Sequence, residues 1–309
     1  MEQQHERAVI VVGSATVDVT AFADRMPARG ETILGASFSL ALGGKGANQA
    51  VATARAGART FFAACVGDDP FADIVRAGLA EAGVDPRFVR EVAGVGTGVA
   101  HVRVDGAGDN DIVMIPRANA AMGVDDVDRA IDEQGRPGGV LLTQLETPFD
   151  VAIHATARAH ACGMTVILDP APAAPLPDGI WESIDVVTPN ETEASAFTGR
   201  EVVDRASAVK AGRWFVDRGV RTALITLAGS GAVAVTRHGV TDYEPVPVDA
   251  IDSTAAGDAF AGYLAAALAR GASLDEAIRR ATCAGALTVT RTGAAPSIPN
   301  ASEVEALLG

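Results

Sequence analysis

The chain has 309 residues, 48% of them hydrophobic and 21% charged, enough to bury a large core. No stretch reads as a linker between independent modules, so a single domain over residues 1–309 is expected. A formal charge of −14 excludes nucleic-acid binding, which needs concentrated Lys and Arg, and docking on an acidic membrane surface, and leaves small soluble ligands as partners.

In chain order, polar Glu2, His5, Glu6 and Arg7 precede the apolar run Ala8–Val12. That run is too short for a signal sequence or a membrane span, and a cytoplasmic location is expected. Val9–Val12 is predicted as a buried parallel strand. It leads into Gly13-Ser-Ala-Thr-Val-Asp18, which lacks the G-x-G-x-x-G spacing of a dinucleotide site. Asp18 is placed just after this strand, where open α/β sheets bind ligands. Its carboxylate could accept two hydroxyl hydrogen bonds from a vicinal diol, or serve as a helix cap or a solvated loop acid.

From about residue 20 to 42 a period-2 pattern predicts antiparallel strands. Leu42-Gly-Gly-Lys-Gly-Ala-Asn-Gln-Ala50 then places three glycines ahead of a helix over Asn48–Ala56. It is not a Walker A loop, because no Lys-Ser or Lys-Thr follows a correctly spaced glycine pair. The glycines alone would make a tight turn; Lys45 and Asn48 beside them favour a polyol site. A second helix is predicted over Phe71–Ala82. Period 2 returns over residues 98–115, with the turn Asp105-Gly-Ala-Gly108. Both excursions interrupt strand–helix units instead of forming a block, so together they predict one small sheet acting as a lid over the main domain.

Further buried strands are predicted at Val140–Leu142, Thr165–Leu168, Asp185–Val187 and Ala223–Thr226, with helices at Pro148–His160 and Ser207–Arg218. Strands alternating with helices predict an α/β layered fold. There is no internal repeat. The cysteines, Cys65, Cys162 and Cys283, are scattered and read as reduced core thiols. His101 falls in the lid pattern, and His154 and His160 are six apart, which is not the i, i+4 spacing of a zinc helix.

Asp252-Ser-Thr-Ala-Ala-Gly-Asp258 carries the sharpest chemical signal, because it feeds directly into the amphipathic run Ala259–Leu268. Free N–H groups and the helix dipole at such a start make an anion site. An acid there also stabilises a helix N-terminus, and Asp258 taken alone reads equally as that. In a kinase the two parts work together, the helix end holding phosphoryl charge and the acid accepting the proton of the attacking hydroxyl.

Gly43-Gly-Lys-Gly-Ala-Asn-Gln49, Gln144-Leu-Glu-Thr147, Asp169-Pro-Ala-Pro172, Thr188-Pro-Asn-Glu-Thr-Glu193, Thr226-Leu-Ala-Gly-Ser-Gly231, Asp252–Asp258 and Arg291-Thr-Gly-Ala-Ala-Pro-Ser297 occur in that order. With these motifs the chain resembles the ribokinase branch of the PfkB-type carbohydrate kinases, nearly end to end. The resemblance implies a ribokinase-like three-layer α/β/α domain with a small β lid. It implies transfer of the γ-phosphoryl group of MgATP to a pentose hydroxyl, O5 of D-ribose first, with a homodimer pairing lid against lid. Thr16, Asp18, Gly44, Lys45, Asn48 and Glu146 would then hold the sugar. Asn190, Glu193, Thr226, Gly229, Gly231 and Thr282 would serve the nucleotide, and Ala256, Gly257 and Asp258 the anion hole and base. An activating K⁺ would take carbonyls of Asp252, Thr254, Thr288, Arg291 and Gly293, with Ser297.

Three departures bear on specificity. Thr16 stands where many such kinases have Asn, Arg117 where Gly often closes the second lid segment, and Thr282 where His often lies near adenine. Deoxyribose, another furanose or a nucleoside therefore stay open as acceptors, as does a catalytically silent sugar-binding role on the same scaffold.

Overall fold

The computed structural model describes residues 7–309; the polar residues Glu2, His5 and Glu6 lie outside the described residues. The chain opens with strand β1, Val9–Val12, whose four residues are all buried. β2, Thr16–Phe22, and β3, Ser37–Gly43, follow, and helix α1, Lys45–Arg55, starts directly after Gly44. This helix begins three residues earlier than its sequence pattern suggests. Gly44 at φ 87° reverses the chain within one residue, a conformation a side chain would resist, so the helix starts at once.

β4, Thr60–Gly67, is buried throughout, and α2, Pro70–Glu81, starts at an Asp69 cap whose carboxylate accepts from the Ala72 N–H. Next come β5, Val89–Val92, and the second excursion, β6, Gly98–Val104, with β7, Asn110–Ile115. α3, Val124–Gln134, then precedes the alternation predicted from sequence: β8, Val140–Thr143; α4, Phe149–Ala161; β9, Thr165–Leu168; β10, Val186–Val187. α5, Glu191–Thr198, and α6, Arg205–Val216, lead to β11, Thr222–Thr226, and the hairpin of β12, Ala232–Thr236, with β13, Gly239–Tyr243. α7, Ala256–Ala269, α8, Leu274–Thr288, and α9, Ala301–Leu308, end the chain.

Nine strands form one sheet in the order β13-β12-β11-β10-β9-β8-β1-β4-β5. All neighbours from β11 to β5 run parallel; β12 and β13 are antiparallel at one edge. Side chains alternate across it. Val9, Val11, Phe62 and Leu142 enter one core with α1, α7 and α8, whereas Ile10, Val12, Phe61 and Leu141 enter the other with α3, α4 and α6. Helices on both faces of a largely parallel sheet give the three layers expected.

The two excursions make a separate four-stranded sheet, β3-β2-β6-β7. Its centre corrects the sequence reading. β2 and β6 pair parallel, Thr16 beside Gly98, and only the outer pairs are antiparallel. Each excursion is its own hairpin, and the two hairpins join through strands that leave the main body in the same direction.

The cysteine expectation also needs one correction. Cys65 and Cys283 are buried, but Cys162 is partly exposed, because it caps the C-terminus of α4, where the Arg158 guanidinium reaches its Sγ at 2.8 Å.

Candidate active site

Parallel strands deliver whatever follows them to one edge of the sheet, and here they deliver polar residues. Ser14 comes after β1, Gln144 and Glu146 after β8, Asp169 after β9 and Asn190 after β10. The N-termini of α1 and α7 meet them there. Gly13 and Gly46 let strand exit and helix start touch: a Cβ on Gly46 would lie 2.6 Å from the Gly13 carbonyl carbon. Ser14 Oγ donates to Glu146 Oε2 at 2.5 Å, and the Lys45 N–H donates to the same oxygen at 3.0 Å.

Asp18 differs from its sequence placement. It lies within β2 of the small sheet, not in the loop after β1, and so reaches the site from above the main body. Its carboxylate lies over Gly43 and accepts the Thr16 hydroxyl at 3.1 Å. Burial pushes this carboxyl up to about 6; the Thr16 hydroxyl opposes that, and the carboxylates of Glu146 and Asp258 add to it. Glu146 is likewise raised by burial, against the bonds from Ser14 and Lys45.

Asp258 sits in the first turn of α7 and is buried, 5% exposed. Its Oδ2 accepts from Asn48 Nδ2 at 2.9 Å and its Oδ1 from Gln49 Nε2 at 3.2 Å. Asn48 Oδ1 is buried with no partner, which leaves a carboxamide oxygen to receive a ligand hydroxyl. A Cβ on Gly257 would meet nothing within 4 Å, so the helix start faces open space. Ala255, the residue before the helix, takes φ 61°, a left-handed conformation that non-glycine residues seldom adopt. Strain of this kind gathers at functional sites.

Lys45 Nζ lies 3.4 Å from Asp169 and 3.8 Å from Asp258. Burial disfavours its charge, but Asp169, Asp258, Glu146 and Glu193 outweigh that and hold the ammonium protonated. A single cation thus ties together acids from two strand exits and two helices.

The nucleotide residues expected from sequence divide. Asn190 and Glu193 form a capping box on α5, Asn190 Oδ1 accepting the Glu193 N–H at 2.8 Å and Glu193 Oε2 accepting the Asn190 N–H at 2.9 Å. This is the helix-start role the sequence also allowed, and it leaves Glu193 Oε1 uncommitted. Thr226 joins them, its N–H donating to the Pro189 carbonyl at 3.0 Å. Gly229 has open space where a side chain would stand, and Gly231 lies against the Tyr243 carbonyl. Thr282 is on α8, its hydroxyl turned back to Ile278 at 2.9 Å, one turn before Gly285, which packs near the Ala256 carbonyl.

The loops that carry Asp252 and Gly293 lie against one another. Ile251 and Asp252 N–H groups donate to the Val289 carbonyl at 2.7 and 3.1 Å, and the Gly293 N–H donates to Asp252 Oδ2 at 2.8 Å. Among the described residues the carbonyls of Asp252, Thr254, Arg291 and Gly293 accept no hydrogen bond, while that of Thr288 takes the Arg291 N–H. Ser297 is buried and donates to Ala294. Among the described residues no cluster of three or more His, Cys, Asp or Glu side chains could hold a metal ion.

Residues 6–301 match the family model described as pfkB family carbohydrate kinase. The chain belongs to this family. The pfkB kinase is therefore a phosphotransferase acting on a sugar hydroxyl. It is 41% identical over 298 residues to a ribokinase of Haemophilus influenzae, covering 96% of this chain and 97% of that one. It is 33% identical to a deoxyribokinase of Salmonella typhi, covering 94% and 95%. Its fold matches an Arabidopsis thaliana ribokinase complexed with ribose and ATP, at TM-score 0.89 and 31% identity over 98% of each chain.

Sequence reasoning on this pfkB kinase passed over Ser14, Gln49, Gln144 and Asp169 as individual actors. Gln144 Nε2 donates to Gln49 Oε1 at 2.6 Å, which fixes the Gln49 amide so that its N–H₂ faces Asp169 and Asp258. A usable signal existed: Ser14, Gln144 and Asp169 each follow a largely apolar, buried strand at its C-terminal end, where polar residues face ligands.

Proposed function

We propose that this kinase transfers the γ-phosphoryl group of ATP to O5 of D-ribose, giving ribose 5-phosphate. The observation that carries this reading is the buried Asp258 carboxylate at the start of α7, gripped by Asn48 and Gln49 and facing Asp18, Lys45 and Glu146. Similarity to ribokinases over nearly the whole chain supports it.

In this reading Thr16, Asp18, Gly44, Lys45, Asn48 and Glu146 orient the sugar hydroxyls. The O5 proton passes to Asp258 as the bond from O5 to γ-phosphorus forms and the bond from that phosphorus to the β,γ-bridging oxygen breaks, releasing ADP. The N–H groups of Ala256 and Gly257 hold the charge on the transferring group. Asn190, Glu193, Thr226, Gly229, Gly231 and Thr282 bind the nucleotide. Mg²⁺ would neutralise phosphate charge, with the free oxygen of Glu193 facing its water shell.

K⁺ fits the cradle of uncommitted carbonyls at Asp252, Thr254, Arg291 and Gly293, with Thr288 and Ser297 beside them, because such oxygens replace the ion's hydration shell. The ion would firm the loop ahead of α7. Equal rates in sodium and potassium would remove this part of the reading. The exposed apolar residues Phe38, Leu40, Ile112 and Val113 of the small sheet support a homodimer joined through the lids. A monomer mass at micromolar concentration would count against it. Residues 1–309 act as one domain, and three unpaired thiols with an ATP-dependent reaction suit the cytoplasm.

The test is steady-state ATP turnover across a panel of sugars and nucleosides, with ribose giving the highest kcat/KM. Deoxyribose is the second reading. It is favoured by the deoxyribokinase relative and by Thr16, whose hydroxyl is bound to Asp18 where a carboxamide would offer more donors. A higher kcat/KM for deoxyribose would replace ribose with it. ATP consumption with no sugar dependence would overturn both.

A further inference from the structure

Asp169 is buried, 5% exposed, and none of the sugar, nucleotide or cation roles above uses it. It directly follows β9, at the same end of the sheet as Ser14 and Gln144. Its Oδ2 takes two donors at once, Gln49 Nε2 at 2.8 Å and Lys45 Nζ at 3.4 Å. Both donors also face Asp258 Oδ1, Gln49 at 3.2 Å and Lys45 at 3.8 Å. Gln49 cannot turn away, because Gln144 Nε2 holds its carbonyl oxygen at 2.6 Å. A buried carboxylate placed here is costly unless its charge is used, since it adds a negative group beside three others around one lysine.

We propose that Asp169 is a positioning residue for phosphoryl transfer, holding the Gln49 amide against Asp258 and drawing the Lys45 ammonium off that carboxylate so that it stays available to the acceptor hydroxyl. The inference rests on the kinase reading, with Asp258 as base. Without Asp169, Lys45 would still face Asp258, Glu146 and Glu193, and its shortest remaining carboxylate contact would be Asp258. A carboxylate locked to an ammonium is a weaker proton acceptor and stays ionised to lower pH. Burial raises Asp169 itself, with Glu193 and Asp258 adding, and the charge and hydrogen bond of Lys45 work against that to keep the carboxylate ionised.

The experiment compares wild type, Asp169→Asn and Asp258→Asn in kcat, sugar KM, the pH profile of kcat and thermal melting. Asp169→Asn is expected to lower kcat about tenfold to hundredfold, the scale of a misplaced catalytic group, with sugar KM changed much less. The acid limb of kcat is expected to move to lower pH, a readout that loss of packing alone would not move. Wild-type kcat, or a reduced kcat with an unmoved acid limb, overturns the proposal. Should Asp169→Asn fail to fold, Gln49→Met, which cuts the same bridge from the other side, decides instead: kcat lowered with sugar KM near wild type supports it, and unchanged kcat overturns it. If Asp258→Asn turns over like wild type, the kinase reading itself has failed, which separates the two outcomes.

Discussion

The Asp18 carboxylate occupies the space over Gly43 that any side chain there would need, with Asp18 Oδ1 only 1.9 Å from the position of a Cβ. Asp18 is on β2 and Gly43 on its neighbour β3, where their partners in the register are Ala41 and Thr16, so the carboxylate reaches diagonally across the strand pair to cover Gly43. A backbone without a side chain thereby sets where the sugar-facing acid points.

Gly43→Ala is accordingly expected to push Asp18 aside. Hydrogen bonds to a charged group contribute about 1.5–3 kcal/mol, so sugar KM should rise about tenfold to hundredfold with kcat less affected. Steady-state kinetics with saturating ATP checks this, and an unchanged KM would remove Asp18 from the sugar site.

Asp258→Asn keeps the size of the side chain and its place in α7. Turnover is expected to fall about 10²- to 10⁴-fold, the usual worth of a general base, while the melting temperature stays near wild type. Wild-type-like turnover would sink the assignment of Asp258.

The Asp18 carboxyl, pushed up to about 6 from 3.8 mainly by burial, makes the ligand-free protein pH-sensitive. The folded state binds this proton more tightly than the unfolded chain, so the contribution favours folding at low pH and is lost as pH rises from about 4 through about 6. Asp18→Asn should flatten that part of the stability profile, measured by melting curves at about pH 4 and about pH 7. Sugar binding has the opposite sign, because the ionised carboxylate accepts the diol, and kcat/KM for sugar should fall below about pH 6.

Asp252 staples two loops through the Gly293 N–H, the Thr254 N–H and the Thr254 hydroxyl. Burial works to raise its carboxyl, but these three donors prevail and lower it. Its stabilisation is therefore present at neutral pH and lost only as pH falls through its depressed value. Asp252→Asn is expected to cost about 1–3 kcal/mol at neutral pH and to blunt any difference between potassium and sodium. Equal melting temperatures for variant and wild type would show that the staple is dispensable.

The layered α/β fold, the two excursions and the helix start at Asp258 were legible because each has a local signature: period 2, apolar runs and small residues ahead of a helix. The parallel pairing of β2 with β6 was not, since strand direction is decided by partners eighty residues apart. β12 and β13 escaped too, although their pairing is local, with Thr236 opposite Gly239. Asp18 was assigned to a loop because nothing in Thr16–Phe22 marks where the main sheet ends and the small one begins. Gln49 and Asp169 were visible only as members of motifs, since a buried amide reveals its bridging role only when both partners are in place.

The small sheet is also indivisible. The chain enters it twice, at Thr16 and Gly98, and leaves it twice, at Gly43 and Ile115, and neither excursion carries more than one hairpin. An isolated two-stranded hairpin is barely stable in water. Removing either excursion would therefore strand the other, and transplanting the sheet onto another scaffold would require two grafts made together. Whatever specificity this layer confers is inherited as a pair of insertions or lost as one.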